Sequence, residues 1–377
     1  MSLTSELADP ASVLSRWCAR VFTGTPAVAA RIEAAVQDVR PVRPVSGRVP
    51  RRHWAEIGGA FGQRVADLVQ PAPPYYALLG LVAARWGSGA WAHRQAAQYP
   101  THRGLPEPFR ARALGVRPAA TTWLDLGDQL GDPARDPAAE RVWAELLARA
   151  RAYQERHAPP GTLGPSGVEA GLARTNWVIS ACEDIYRSGT LDERLARVFE
   201  GGAPSVEALR GLASDDHVAE LTQLAKRLHE RGALWDLRRL GGAPPEGEPL
   251  GIAGPTIVPG WADGDVLLAP IDPARGIGDA TATLLDVKTV VAVRDPARVG
   301  RWLWQLLLYA WLDVGDLYRI RDVGLLLARH GTVLTWPVEQ LAEELLGSPG
   351  VAEYRRDEVR ELVAGILTSV GLAFPES

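Results

Sequence analysis

Apolar side chains recur every three to four residues over most of the first 230 positions, then give way to short apolar runs and alternations after about residue 250. The first pattern predicts amphipathic helices and the second predicts strands. Helices are expected over 12–22, 26–39, 53–69, 75–86, 90–99, 137–156, 168–187, 191–199 and 215–231. In the 53–69 helix, Ile57, Phe61, Val65 and Leu68 share one face, and Ser214 is placed to cap the 215–231 helix. Strands are expected over 252–258, 265–269, 284–293, 323–329 and 333–338. His330-Gly331-Thr332 reads as the turn between the last two. A helix over 296–314 separates the third strand from the fourth, and helices over 339–346 and 351–370 close the chain.

Loops fall where Pro, Gly and Arg cluster. Residues 40–53 are basic and proline-rich, so they read either as a phosphate-contacting arm or as an ordinary solvated loop, the more common case. Residues 100–137 are the least regular stretch, a Pro/Gly/Asp loop spans 270–279, and 159–167 is the best linker. No internal repeat or heptad run is present. The expected fold class is α/β (α+β). A helical domain over 1–160 would be followed by a mixed domain over 161–377, with its core at about 215–338.

One strand departs from the pattern. Leu284 to Val291 is apolar and β-branched except for Asp286 and Lys288. Side chains alternate across a strand, so Asp286 and Lys288 share one face while Leu285 and Val287 share the other. Charge in a buried strand is costly unless it is paired or bound to an ion. The 41 basic residues are two lysines, Lys226 and Lys288, and 39 arginines. Keeping a lysine at 288 suggests a role for a compact ammonium that a planar guanidinium does not fill.

Composition narrows the function classes. An apolar fraction of 46% supports a real core. A net charge of −4 gives no general case for nucleic acid, so any such binding would rest on a local basic patch. Cys18 and Cys182 are too few and too far apart for a zinc or iron–sulfur site and suit a reducing cytoplasm. No signal peptide is expected, and the longest apolar run, 75–84, is too short to cross a membrane. Signatures for zinc proteases, P-loops, nucleophile elbows and dinucleotide binding are missing, and His217 and His229 are not spaced as ligands.

Around the odd strand, chemistry gathers. Asp265 lies 21 residues before Asp286 at the start of a short apolar strand. Asp263 would share its face if the backbone there is extended. Two carboxylates from adjacent strands and the main-chain carbonyl of Val287 would offer hard oxygen donors to Mg²⁺ or Mn²⁺. Lys288 would then orient an attacking water or stabilise charge on a phosphate. Gln305 and Tyr309 are four apart on the next helix and so share a face, on a surface expected to include Arg301, Trp302 and Asp313. Trp302, Trp304 and Trp311 could stack on bases, although core is the more common role.

An aspartate on one strand, Asp286-x-Lys288 on the next and Gln305-x-x-x-Tyr309 on the following helix resemble the PD-(D/E)xK nuclease superfamily, in particular its RecB-like members. The resemblance covers roughly residues 215–335. It implies a restriction-endonuclease-like αβββαβ core, a mixed sheet flanked by helices. It also implies a metal-dependent DNA nuclease, in phage defence or DNA processing. Asp265 or Asp263, Asp286, Lys288, Gln305 and Tyr309 would be its site residues, and Mg²⁺ or Mn²⁺ its cofactor. The family usually adds a glutamate from the first core helix, for which Glu220 or the more distant Glu183 is available. The four-cysteine cluster of some RecB-like nucleases is absent. The N-terminal half would recognise substrate or dock a protein partner. The alternative is a non-catalytic protein that keeps a nuclease-like sheet for binding DNA or protein. Against the resemblance itself stands the plainer reading of Asp286 and Lys288 as a salt-bridged pair at the rim of a sheet.

Overall fold

The computed structural model describes residues 2–101, 137–200, 204–271 and 277–375. Most of the irregular 100–137 stretch and part of the 270–279 loop lie outside them. Six helices open the chain: α1 (Leu3–Ala8), α2 (Val13–Val21), α3 (Thr25–Val36), α4 (Arg51–Val69), α5 (Tyr75–Ala83) and α6 (Gly89–Ala96). They are followed by α7 (Pro137–His157), α8 (Ser166–Ser188), α9 (Glu193–Glu200), α10 (Val206–Arg210), α11 (Asp215–Glu230) and α12 (Ala233–Leu240). Next come β1 (Gly251–Ala253), β2 (Thr256–Val258), β3 (Ala262–Asp263), β4 (Val266–Leu268) and β5 (Ala282–Lys288). The chain ends with α13 (Pro296–Leu312), β6 (Ile320–Leu327), β7 (Thr332–Pro337), α14 (Val338–Leu346) and α15 (Ala352–Ser369).

The main sheet has the order β1-β4-β5-β6-β7. β1, β4 and β5 are antiparallel neighbours, with Leu267 opposite Leu284. β5 and β6 run parallel, with Asp286 beside Leu325 and Lys288 beside Leu327. A parallel pair needs a crossover, and α13 supplies it. Asp295 caps α13 by accepting from the Ala297 and Arg298 amides, with Pro296 at the first helical position.

Three details correct the sequence reading. The 252–258 strand is two strands. β1 belongs to the main sheet while β2 pairs with β3 in a separate two-stranded sheet. The break falls at Gly254, whose φ of +63° turns the chain, and at Pro255, which has no N–H for a ladder. The 284–293 strand starts at Ala282 and ends at Lys288, because its neighbour β6 ends at Leu327 and the Ala328 amide to the Lys288 carbonyl, at 3.0 Å, is the bond beyond it. The short helices α1, α10 and α12 have too few turns to show a period.

Alternation along the strands splits the core. Leu267, Leu284, Val323, Leu325 and Leu327 pack with α1–α3 and α13–α15 on one face. Val266, Leu268, Leu285, Leu326 and Ala328 pack with helices from α4 to α12 on the other. Helices on both sides of the boundary expected near residue 160 meet in that second layer, where Trp143 and Leu147 join Ala173 and Trp177. The sheet is therefore covered by helices on both faces, including helices from the N-terminal half. Among the described residues no helix is long and apolar enough to cross a membrane.

Candidate active site

The face of β5 that carries Leu284 also carries Asp286 and Lys288, and it looks onto α13. Lys288 Nζ lies 2.5 Å from Asp286 Oδ2 and donates to Gln305 Oε1 at 3.4 Å. The Gln305 amide donates to the Tyr309 hydroxyl at 2.7 Å and to Thr4 Oγ1 at 3.4 Å. Helical spacing places Gln305 and Tyr309 on one side of α13, and strand spacing places Asp286 and Lys288 on one side of β5. The crossover brings the two sides together. Thr4 completes the chain of contacts from α1, and no motif around it marks it in the sequence. Lys288 also sits 5.8 Å from the centre of the Trp302 ring.

Asp286 is 3% exposed. Burial is the main cause that pushes its carboxyl up to about 6; the Lys288 ammonium opposes this and the Asp265 charge adds to it. Burial, and then the nearby Asp286 and Asp265 charges, hold the Tyr309 phenol well above its ordinary value, so it stays a neutral hydroxyl. Asp265 is exposed, and its Oδ2 accepts the Val287 amide at 2.6 Å. That bond pins the carboxylate to β5, one residue from Asp286.

Beyond Asp265 opens a cavity of about 220 Å³ lined by Glu183, Arg187, Asp263, Asp265, Val287 and the glycine-rich face of α4. Asp263 and Asp265 therefore face one space, though Asp263 is held differently. Arg187 lies 4.0 Å from it, and the Tyr76 and Thr256 hydroxyls stabilise its charge against a burial that raises its carboxyl. α4 can pass this close to the strand because it is bare there. A Cβ added at Gly58 would meet Thr289 Oγ1, just past β5, at 3.2 Å, while one at Gly59 would meet Ser180 Oγ on α8.

Glu220, expected as a possible metal ligand, is elsewhere. It is wholly buried, ion-paired with Arg329 and 2.8 Å from His53 Nε2. With both oxygens held, it does not reach Asp286. Glu183 instead shares the cavity with Asp265 and Val287, ion-paired with Arg187. Asp313 also leaves the expected surface, because its carboxylate accepts the Leu317 and Tyr318 amides at 3.1 and 2.8 Å. Trp302 and Trp311 are core, while Trp304 is half-buried and donates to Thr25 Oγ1 at 2.9 Å.

Among the described residues, no three of His, Cys, Asp and Glu form a ready cation cage. The donor set is nevertheless of a kind that suits Mg²⁺ or Mn²⁺. Mg²⁺ commonly keeps several waters and takes only one or two carboxylates from the protein. The Asp265 charge adds to the burial that raises Asp286, and a hard cation between the two carboxylates would offset that repulsion. No protein-family model matches the chain, nor does any curated protein or solved structure.

Proposed function

We propose that this chain is a metal-dependent phosphodiesterase acting on nucleic acid, with DNA as the expected substrate and a restriction-endonuclease-like core. The observation that carries the proposal is the convergence of Asp286, Lys288 and Asp265 at the end of β5 with Gln305 and Tyr309 from the crossover helix. The order helix, three antiparallel strands, crossover helix, parallel strand supports it as well, being the order the PD-(D/E)xK resemblance implies.

In the proposed mechanism Asp286 and Asp265 would hold Mg²⁺ or Mn²⁺, with the Val287 carbonyl as a further oxygen donor. The chemistry such a cation supplies is a water of lowered pKa and neutralised charge on the phosphate. The oxygen of a water forms a bond to phosphorus while its proton passes to solvent, the ester P–O bond breaks, and the leaving oxygen takes up a proton from solvent. Lys288 donates hydrogen bonds to the attacking water or to the phosphate oxygen that gains charge. Gln305 holds the ammonium in place, and the Tyr309 hydroxyl supports Gln305. Removing one such electrostatic contact costs about 10²–10³ in rate.

A second reading has its own support. Lys288 already neutralises Asp286, and Glu220 is committed to Arg329. A protein with this site could bind nucleic acid or protein without cleaving. Two measurements decide between them. Cleavage of linear, circular and single-stranded DNA with Mg²⁺ or Mn²⁺ is expected, and is expected to be lost in Lys288→Ala and Asp286→Ala. Calorimetric titration with the cation alone is expected to show binding that Asp286→Asn abolishes. Cleavage unchanged in both alanine variants would sink the mechanism, and no Asp286-dependent cation binding would favour the second reading.

A further inference from the structure

Just past Lys288 the chain lines a second space. Residues 289–292 form one side of a groove of about 830 Å³ whose other sides come from Arg51, Arg52 and Trp54 on α4 and from Arg298 on α13. That volume lies within the roughly 300–1,000 Å³ usual for ligand sites. Three guanidinium groups and no carboxylate are among its described lining residues. The cavity on the Asp265 side of β5 is richer in carboxylates, with Glu183, Asp263 and Asp265 beside one guanidinium, that of Arg187. α4 spans both: its first turn lines the basic groove and its glycines line the acidic cavity.

Trp54 is 37% exposed, unusually open for an indole beside a packed helix. Its indole is fixed from behind. The wholly buried Arg329 guanidinium lies 4.9 Å from the ring centre, and His53 meets the ring edge-on at 6.0 Å. Arg329 also donates to the Thr289 carbonyl at 2.7 Å and to the Val42 carbonyl at 3.1 Å, and it is neutralised by Glu220. One buried ion pair thus ties together the strand end, the aromatic ring and the basic loop that leads into α4. On that loop Arg43 and Arg48 are exposed. A ring held rigidly beside cations is the arrangement that stacks an unpaired base while the arginines take its phosphates.

We propose that this groove binds single-stranded nucleic acid, with Trp54 as the stacking platform and Arg51, Arg52 and Arg298 on the backbone, and that it leads the strand to the carboxylate end of β5. The inference rests on the phosphodiesterase reading, whose substrate class it names. A duplex is a poorer occupant, because its base faces are already covered by neighbouring pairs. Arg52 is the least free of the three cations, since Glu56 and Asp192 pair with it, so the test uses the other two.

The test is fluorescence anisotropy of the full chain with a labelled oligo-dT 20-mer, in EDTA so that cleavage plays no part. A hairpin duplex and polyglutamate serve as comparisons, and thermal melting checks that each variant is folded. Binding to the single strand is expected, weakened roughly tenfold or more by Trp54→Ala, the scale of a base–aromatic stack, and less by Trp54→Phe. Arg51→Ala/Arg298→Ala is expected to weaken binding and to lower the salt-dependence slope by about one to two. Equal affinity of folded Trp54→Ala, tighter binding of the duplex, or binding of polyglutamate in place of the oligonucleotide would each overturn the proposal. Cleavage measured separately with Mg²⁺ keeps the two ideas apart. Loss of groove binding with cleavage intact rejects the groove alone, and groove binding without any cleavage rejects the activity alone.

Discussion

Lys288 Nζ and Asp286 Oδ2 are 2.5 Å apart, two residues from each other on the same face of one strand. The pair is close because a strand repeats its direction every second residue, and it is stable because each charge answers the other inside a largely buried site. Lys288→Met would leave the Asp286 carboxylate without that partner. A loss of about 3–5 kcal/mol at pH 7.5 is expected, the usual size for breaking a buried pair. The loss should shrink below about pH 5, where Asp286 is protonated. Thermal melting at the two pH values checks this, and an equal loss at both would count against the pairing.

Asp286 also gives the fold a pH dependence of its own. Its carboxyl is raised from 3.8 to about 6, chiefly by burial. A raised carboxyl binds its proton more tightly in the folded chain than in the unfolded one. Its stabilising contribution is therefore complete below 3.8 and is lost as pH rises through about 6. The amount is on the order of 2–3 kcal/mol. Stability curves of the wild type and Asp286→Asn should therefore diverge between pH 4 and 6 and run parallel above about 7. Cation affinity should move the other way, falling as pH drops through 6, since only the carboxylate binds a cation.

Gln305 touches Lys288, Tyr309 and Thr4 but carries no charge. In the proposed mechanism it is a positioning residue. Gln305→Ala should lower kcat about tenfold with little change in KM, and should leave cation affinity as measured by calorimetry unchanged. A change in cation affinity as large as that from Asp286→Asn would assign Gln305 a different role.

Glu220 separates a structural carboxylate from a ligand. Glu220→Gln removes the charge that answers the wholly buried Arg329. A loss of about 3–5 kcal/mol is expected. Below the melting transition the cation affinity should be that of the wild type. A selective loss of cation binding with wild-type melting would put Glu220 in the site after all.

Close packing of α5 on α8 gives a further check. A Cβ at Gly80 would lie 1.8 Å from the Cys182 carbonyl oxygen, and a backbone atom cannot swing aside. Gly80→Ala should destabilise by at least about 1–3 kcal/mol. At Gly365, on α15, a Cβ meets nothing within 4 Å, so Gly365→Ala should stabilise by about 0.5–1 kcal/mol. Chemical denaturation of the two variants measures the contrast.

The switch from a helical to a strand period, the oddness of Asp286 and Lys288, and the shared face of Gln305 and Tyr309 were all legible along the chain. Each depends only on how a helix or a strand repeats its direction over a few residues. The break between β1 and β2 had a local signal as well, the Gly254-Pro255 pair, which a reading by apolar content alone passes over. Which glutamate faces Asp265 was not legible, since Glu183 and Glu220 both sit on amphipathic helices and only packing turns one toward the cavity and the other toward Arg329. The same holds for Thr4, which meets Gln305 across 301 positions, and for Glu220 and Arg329 across 109. Local periodicity set which side chains travel together, while contacts between distant surfaces, which no short window contains, decided which of those groups meet at the end of β5.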